Sequence, residues 1–151
     1  GSEMSGGIEN IKIQNCVFIN VLSILSVKAN IKRGGYIFNI VVEDCNLVNY
    51  DLKNVNLTNY KAAIYVDECY KVEKEKDIAN EIPIISELKL ERININNRYG
   101  KLMYVRGIQS SPIRSITLND VVSYSKGGVE VIGASVYFKN VVDNGILLKE
   151  I

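Results

Sequence analysis

The sequence Ile8-Glu9-Asn10-Ile11-Lys12-Ile13-Gln14-Asn15-Cys16-Val17-Phe18 alternates apolar and polar residues, breaks at an asparagine and resumes with apolar residues. Alternation with a period of two places one face of a β-strand in a core and the other face in water. Looser copies of this phrase recur along the chain at intervals of 29, 48, 28 and 20 residues. Their matching apolar residues are Ile11, Ile40, Leu88, Ile116 and Val136. Recurrence at such intervals predicts a stacked repeat.

Length and composition favour one domain that covers residues 1–151. The chain has 151 residues, of which 47% are hydrophobic, so it can bury a substantial core. Its 18 basic and 17 acidic residues give a net charge of +1, which offers no overall field to attract nucleic acid. No run approaches the roughly 18 apolar residues that cross a membrane. We therefore expect neither a nucleic-acid nor a membrane partner.

Short runs of β-branched and aromatic residues are separated by Asn, Asp and Gly, and the chain has only two prolines. This pattern is typical of many short strands. Together with the recurring phrase it predicts an all-β parallel β-helix, a solenoid of single-stranded rungs. Asparagines tolerate left-handed turns and form ladders, so we expect Asn15, Asn39, Asn119 and Asn140 at the rung corners. A leucine-rich repeat fits less well because the apolar positions are mainly Ile and Val.

The three cysteines do not form a disulfide framework. Cys16 and Cys45 occupy the same position in successive repeats, so they should lie about 4.8 Å apart along the stack. That distance would permit a disulfide bridge, but we expect both to be reduced and to act as small apolar residues. Cys69 has no evident partner, the chain has no histidine, and no metal-ligand spacing is present. The sequence predicts neither a metal site nor a cofactor.

Few residues combine into a catalytic pattern. A nucleophilic triad needs a histidine, which the chain lacks. The carboxylate pairs Glu43–Asp44 and Asp67–Glu68 are neighbours in sequence, and neighbours on a strand point to opposite faces. We expect both pairs on a wet surface. The segment 26–36 differs, because it places Lys28 at a strand end beside a basic turn. This arrangement suits a carboxylate or hydroxyl-rich ligand, and a solvated turn is the alternative.

Several blocks resemble glycoside hydrolase family 28, the polygalacturonases and related pectin-cleaving enzymes. They are Gly1-Ser-Glu-Met-Ser-Gly-Gly-Ile-Glu-Asn-Ile11, Asn15-Cys-Val-Phe18, Val27-Lys28, Arg33-Gly-Gly-Tyr36 and Ser111-Pro-Ile-Arg-Ser-Ile-Thr-Leu118. The resemblance implies a right-handed parallel β-helix, a polysaccharide partner such as galacturonan, and an extracellular or periplasmic location. It also implies inverting hydrolysis, in which one carboxylic acid protonates the leaving group and a second carboxylate activates water.

The resemblance implies substrate-binding residues without catalytic ones. In that family the Asn-Thr-Asp, Asp-Asp and Gly-His-Gly motifs precede the block that matches residues 1–7, and none of them occurs in this chain. The family's Arg-Ile-Lys motif matches Ser26-Val27-Lys28, so the substrate lysine is retained and the arginine is replaced. A substrate-side tyrosine best matches Tyr70, with Tyr60 and Tyr65 as alternatives. The candidate substrate-binding residues are Lys28, Tyr70, Ser26 and Arg33.

Three interpretations follow. The chain is the C-terminal part of a family 28-like hydrolase, inactive alone because it lacks the acid and the base. Alternatively, it is a non-catalytic β-solenoid that binds carbohydrate or has a structural role. The third interpretation is an interaction scaffold, since the first rung would expose an unpaired strand edge and an open apolar core. We then expect that edge to pair with a missing N-terminal half or with another copy of the chain.

Overall fold

The computed structural model describes residues 1, 4–52, 62–70 and 81–149, and this part of the chain is all-β with no helix. It forms a parallel β-helix, as the repeated phrase predicted. The strands are β1 (Gly7–Gln14), β2 (Val17–Ile19), β3 (Leu25–Lys28), β4 (Tyr36–Asn49), β5 (Ala62–Asp67), β6 (Ile84–Asn97), β7 (Lys101–Arg106), β8 (Ile113–Ser125), β9 (Val129–Ile132), β10 (Ala134–Asp143) and β11 (Ile146–Leu147).

Two sheets form the walls of the solenoid. The long sheet contains β1, β4, β6, β8 and β10 in that order, all parallel, with β2 paired to β4 and β11 antiparallel to β10. The short sheet contains β3, β5, β7 and β9, also parallel. Each coil of the chain thus supplies one long-sheet segment followed by one short-sheet strand. The long segments reach 14 residues in β4 and β6, so they are longer than the short rungs that we expected.

The register of the long sheet confirms the repeat. Ile40 pairs with Ile11 on one side and with Leu88 on the other, and Ile116 pairs with Leu88 and Val136. These are the residues that the recurring phrase matched at unequal intervals. The unequal spacing arises in the connections between strands, because the β-ladder itself stays in register.

Left-handed residues bend each long segment without a loop. Eight of them form pairs five residues apart, at Asn10 and Asn15, Asn39 and Asp44, Glu87 and Arg92, and Ser115 and Asp120, whereas β10 has only Asn140. A left-handed residue shifts the in–out alternation of a strand by one position. In β4, Asn39 and Asp44 therefore separate three groups of inward residues, which are Ile37, then Ile40 and Val42, then Cys45 and Leu47. The asparagine corners are confirmed at Asn15, Asn39 and Asn140. The prediction for Asn119 is wrong, because its neighbour Asp120 has the positive φ.

The corner residues also form short side-chain ladders. The Asn39 amide donates to Asn10 at 2.7 Å, and the Asn140 amide donates to Asp120 at 2.9 Å. Inside the core, Asn49 donates to Asn97 at 3.2 Å. Cys45 is buried, Cys16 is half-buried, and both are free thiols, with the Cys16 amide 3.4 Å from the Cys45 sulfur. The Asn49–Asn97 bond satisfies polar groups that stacking would otherwise bury unpaired, whereas the two corner bonds lie at the surface.

The first coil leaves one end of the core open. Ile11 is 41% exposed, whereas its register partner Ile40 is 4% exposed and Leu88 is 0% exposed. At the other end β11 folds back and pairs antiparallel with β10. No helix in the described ranges is long and apolar enough to span a membrane.

Candidate functional site

The outward face of the short sheet carries two columns of mostly polar side chains. Inward positions hold the core residues Ile64, Met103, Val66 and Val105, so alternation turns the intervening residues outward. Register places the outward residues in line across the coils. The first column is Ser26, Tyr65, Tyr104 and Glu130, and the second is Lys28, Asp67, Arg106 and Ile132.

Asp67 is the most heavily bonded side chain of this face. Its Oδ1 accepts hydrogen bonds from Arg106 Nε at 2.8 Å and from the Cys69 amide at 3.0 Å. Its Oδ2 accepts from Arg106 Nη2 at 2.7 Å and from the Tyr65 hydroxyl at 2.8 Å. The carboxylate is 2% exposed, so these bonds replace its water shell. The pair raises the pKa of Arg106 above its usual range, through hydrogen bonding first and then charge.

Two tyrosines stack along the first column. The ring centroids of Tyr65 and Tyr104 lie 5.5 Å apart, with 12° between the ring planes. This is an offset-stacking distance for aromatic side chains. Because the Tyr65 hydroxyl is bonded to Asp67 and its ring is buried, Tyr65 acts mainly as a support for the more exposed Tyr104 and for Asp67.

Lys28 and Tyr70 come together at the end of β3. The Lys28 ammonium lies 4.9 Å from the centre of the Tyr70 ring, within cation–π range. Backbone bonds fix this contact, because the Tyr70 amide donates to the Ala29 carbonyl at 3.1 Å and the Ala29 amide donates to the Asp67 carbonyl at 2.9 Å. Tyr65, one of the two alternatives to Tyr70 as the substrate-side tyrosine, is the register partner of the exposed Ser26. Tyr60 lies outside the described residues.

The basic turn after β3 is built around a buried asparagine. The Asn30 side-chain oxygen accepts from the Lys32 amide at 2.9 Å, and its carbonyl accepts from the Arg33 amide at 3.0 Å. Gly35 has a φ of 75°, and a Cβ there would lie 2.1 Å from the Gly6 carbonyl oxygen. Arg33 Nε is buried without a hydrogen-bond partner. The structure brings Lys28 and Tyr70 into contact and places Arg33 in the turn that follows β3.

Glu68, the residue that follows Asp67 at the end of β5, is buried. It is 1% exposed, and its Oε2 accepts a hydrogen bond from the Ile108 amide at 3.0 Å. Burial raises its pKa to about 7, and the bond from Ile108 only partly opposes the shift. The prediction of a wet Asp67–Glu68 pair is therefore wrong, because Glu68 follows the end of β5 and turns inward under the next coil. The Glu43–Asp44 pair does lie at the surface, where Arg92 contacts both residues.

The contribution of Asp67 and Arg106 was missed in the sequence. Register aligns Lys28 with Asp67 and Asp67 with Arg106, and each step is 39 residues. Ser26, Tyr65 and Tyr104 recur at the same interval. This regular recurrence in the short sheet was a readable signal. It was obscured by the irregular intervals of the long sheet.

The face provides groups for binding rather than a free acid and base. Asp67 is neutralised by Arg106, and Glu130 forms an ion pair with Lys101 at 2.8 Å. Lysine, arginine and tyrosine side chains can bind carboxylates, hydroxyls and the apolar faces of sugar rings. Among the described residues, no group of three or more Cys, Asp or Glu side chains is placed to hold a metal ion.

Comparison with known proteins shows the fold. Neither a protein-family model nor a curated protein sequence matches this chain. A solved structure, that of a hyperthermoactive exopolygalacturonase from Thermotoga maritima, matches with a TM-score of 0.81 and 24% sequence identity. The match covers 100% of this chain and 31% of that enzyme, so the chain spans less than a third of the enzyme's length. The chain therefore has the parallel β-helix fold of a polygalacturonase.

Proposed function

We propose that this chain is the C-terminal part of a polygalacturonase-like glycoside hydrolase and that the outward face of its short sheet forms part of a cleft for pectin or a related acidic polysaccharide. The observation that carries the proposal is the contact between Lys28 and Tyr70 on that face. The sequence blocks that resemble glycoside hydrolase family 28 and the structural likeness to an exopolygalacturonase support it.

Each group of the face has a physical role in this proposal. Lys28 attracts a sugar carboxylate, and the Tyr70 ring beside it shields the interaction from water on one side. Arg106 is paired with Asp67, so it adds no net charge to the column, but its 40% exposed side chain can still donate a hydrogen bond to a sugar hydroxyl or carboxylate. Ser26 is exposed where the family has an arginine, so a bidentate carboxylate contact is absent there. We expect weak binding, with specificity for negative charge.

The chain alone is inactive in this proposal. Inverting hydrolysis needs a protonated carboxylic acid and a carboxylate base roughly 6.5–9.5 Å apart on opposite sides of the bond. Asp67 is occupied by four hydrogen bonds, and Glu68 is buried. Neither side chain is positioned to take one of these roles. Bound sugar would then have neither a proton donor for its leaving group nor an activated water.

A non-catalytic carbohydrate-binding or structural solenoid is the second candidate. Ser26 in place of the family's arginine favours it, since this departure lies within the substrate face itself. The open first coil favours association as well. Further β-structure would cover the edge of β1, the exposed Ile11 and the Ile13 side chain, which is only partly buried against the core. That structure is either a preceding part of the enzyme or a second copy of this chain.

Affinity electrophoresis tests the proposed binding. The chain is run in native gels that contain polygalacturonate or a neutral glucan, beside Lys28→Ala and the control Lys139→Ala. Lys139 is an exposed lysine of β10, so both variants lose one positive charge. We expect polygalacturonate to retard the parent chain and Lys139→Ala and to retard Lys28→Ala about tenfold more weakly. Equal retardation of both variants would overturn the proposed site.

A reducing-end assay on the same substrate tests inactivity. We expect no release of reducing ends by the chain alone, even at concentrations that give full retardation in the gel. Hydrolysis that survives purification and disappears in a variant of Asp67 or Glu68 would contradict this part of the proposal. Such a result would leave the binding face in place and assign catalysis to it.

A further inference from the structure

A cleft lies at the corner where the long sheet passes into the short sheet, at the edge where the short-sheet strands begin. It has a volume of about 320 Å³ and is lined by Arg98, Tyr124, Ser125, Lys126 and Asn144. Lys28 is at the opposite edge, at the end of β3. A cleft of this size falls at the lower end of the roughly 300–1,000 Å³ of small-molecule sites, and it suits a single sugar ring.

Two cationic residues occupy the same corner of adjacent coils. Asn97 and Ser125 are register partners, and Arg98 and Lys126 are the residues that directly follow them. Neighbouring coils are about 4.8 Å apart, so the two positive charges repel each other. Neither side chain forms an ion pair within the described part of the chain, and both residues are exposed. An anion bound between them would relieve the repulsion.

The wall of the cleft adds an aromatic ring and a polar group. Tyr124 is 54% exposed, because it points outward from β8 while its neighbours Ser123 and Ser125 point inward and are buried. Its ring can cover the apolar face of a sugar. The Asn144 side-chain amide donates to the Ser125 carbonyl at 2.8 Å, and this bond leaves the side-chain oxygen to accept from a hydroxyl.

The floor of the cleft is held rigidly. Asp143 is 6% exposed and accepts hydrogen bonds from the Ser125 amide at 3.1 Å and from the Ser125 hydroxyl at 2.8 Å. The Lys126 amide donates to the Gly100 carbonyl at 2.9 Å, which ties the turn to the preceding coil. The Asp143 carboxylate is buried in these bonds to neutral donors, whereas Arg98 and Lys126 are exposed, so the cationic side chains are the ones that face solvent.

We propose that this corner cleft binds the carboxylate and ring of a sugar acid, with Arg98 and Lys126 on the carboxylate and Tyr124 against the ring. The choice of a sugar acid rests on the proposed function, whereas the positive charge and the exposed ring do not depend on it. The cleft would give the solenoid a second contact with an acidic polysaccharide, away from the Lys28 face. When one polymer occupies two weak sites at once, its overall affinity exceeds the affinity of either site alone.

Amide NMR shifts of the labelled chain test the cleft separately from the Lys28 face. The probe is D-galacturonate, with D-galactose as its neutral counterpart. We expect galacturonate to shift the amides of Gly127, Gly128 and Asn144 in the parent chain and in Lys28→Ala. The double variant Arg98→Gln/Lys126→Gln should bind about tenfold more weakly at these amides, while Lys139→Gln behaves as the parent chain. Tyr124→Phe should retain binding, and Tyr124→Ala should weaken it severalfold.

The outcomes separate the two proposals. Absent cleft shifts, equal shifts with galactose, or shifts that the double variant leaves unchanged would overturn the cleft. Shifts confined to Ser26, Lys28 and Tyr70 would overturn it and leave the proposed function standing. Cleft shifts without any response near Lys28 would support the cleft and count against the proposed substrate face. A well-dispersed spectrum of each variant shows that its fold is intact.

Discussion

Arg106 binds Asp67 through two hydrogen bonds, from Nε to Oδ1 at 2.8 Å and from Nη2 to Oδ2 at 2.7 Å, across adjacent strands of the short sheet. The Asp67 side chain is buried, and the Arg106 side chain is 40% exposed. The same carboxylate also accepts from Tyr65 and Cys69, so one ion pair organises the middle of the candidate binding face. Removal of one partner leaves a buried charge unpaired, which costs far more than loss of a surface pair.

Arg106→Gln should lower the free energy of unfolding by about 3 kcal/mol, at the lower end of the range for breaking a buried pair because the guanidinium is partly exposed. Urea unfolding followed by circular dichroism measures the change. The matched control is Arg114→Gln, at an exposed arginine of β8, which should stay within about 0.5 kcal/mol of the parent chain. Equal losses in both variants would contradict the role of the Arg106–Asp67 pair.

Glu68 should make stability fall as pH rises. Its pKa is raised from 4.5 to about 7 in the folded chain, so between these values the folded state holds a proton that the unfolded state has released. Its contribution is fully present below pH 4.5 and is lost as pH rises through about 7. Glu68→Gln removes this titration. At pH 8 the free energy of unfolding of the variant should therefore be about 3 kcal/mol higher than that of the parent chain.

Urea unfolding from pH 4 to pH 8 checks this prediction. The control Glu87→Gln changes an exposed glutamate of β6 and should run parallel to the parent chain across the range. A Glu68→Gln profile with the same slope as the parent would show that Glu68 stays ionised in the fold.

Left-handed corners should be sensitive to branched side chains. Ser115 has a φ of 56°, and a β-branched residue in that conformation costs roughly 1–2 kcal/mol. Ser115→Val should therefore destabilise the chain by that amount, and Ser115→Gly should be neutral or stabilising. Thermal unfolding of both variants tests this. Thr117→Val, two residues along the same strand, has no positive φ and should be tolerated; if it cost as much as Ser115→Val, the corner argument would fail.

The open first coil should drive association. Ile11 is 41% exposed at a position whose partners in the stack are buried. Light scattering over a range of concentrations should detect oligomers, and Ile11→Lys should shift them towards monomer because a charge cannot be buried in the interface. Ile132→Lys is the control, since Ile132 is 47% exposed on the short sheet. A parent chain that stays monomeric at all concentrations would remove the case for association.

The fold could be predicted because alternation within a strand and recurrence along the chain are both visible in the sequence, without knowledge of any side-chain contact. The recurring phrase aligns five apolar residues, and the ladder pairs them as expected: Ile11, Ile40, Leu88, Ile116 and Val136. The position of Lys28 at a strand end was readable for the same reason. By contrast, Asp120 rather than Asn119 takes the left-handed corner. Both residue types tolerate that conformation, so composition could not choose between them.

The candidate site was harder to predict because its chemistry depends on neighbours distant in sequence. Asp67 is tied to Arg106, 39 residues away, and Glu68 is buried by the following coil. From the sequence, Asp67 and Glu68 were expected on a solvated surface. The stacking of neighbouring coils buries both side chains instead. The corner cleft is formed by Arg98, Lys126 and Asn144 from three coils. No single stretch of sequence contains it.

Titration calorimetry with trigalacturonate is the most direct test of the central claim, that the short-sheet face binds an acidic polysaccharide through Lys28. The parent chain and Lys139→Ala should release similar binding heat, which maltotriose, a neutral trisaccharide, should not produce. Lys28→Ala should weaken the affinity about tenfold, as expected for the loss of one charge-assisted contact. Unchanged affinity in Lys28→Ala, or no heat with the parent chain, would contradict the claim.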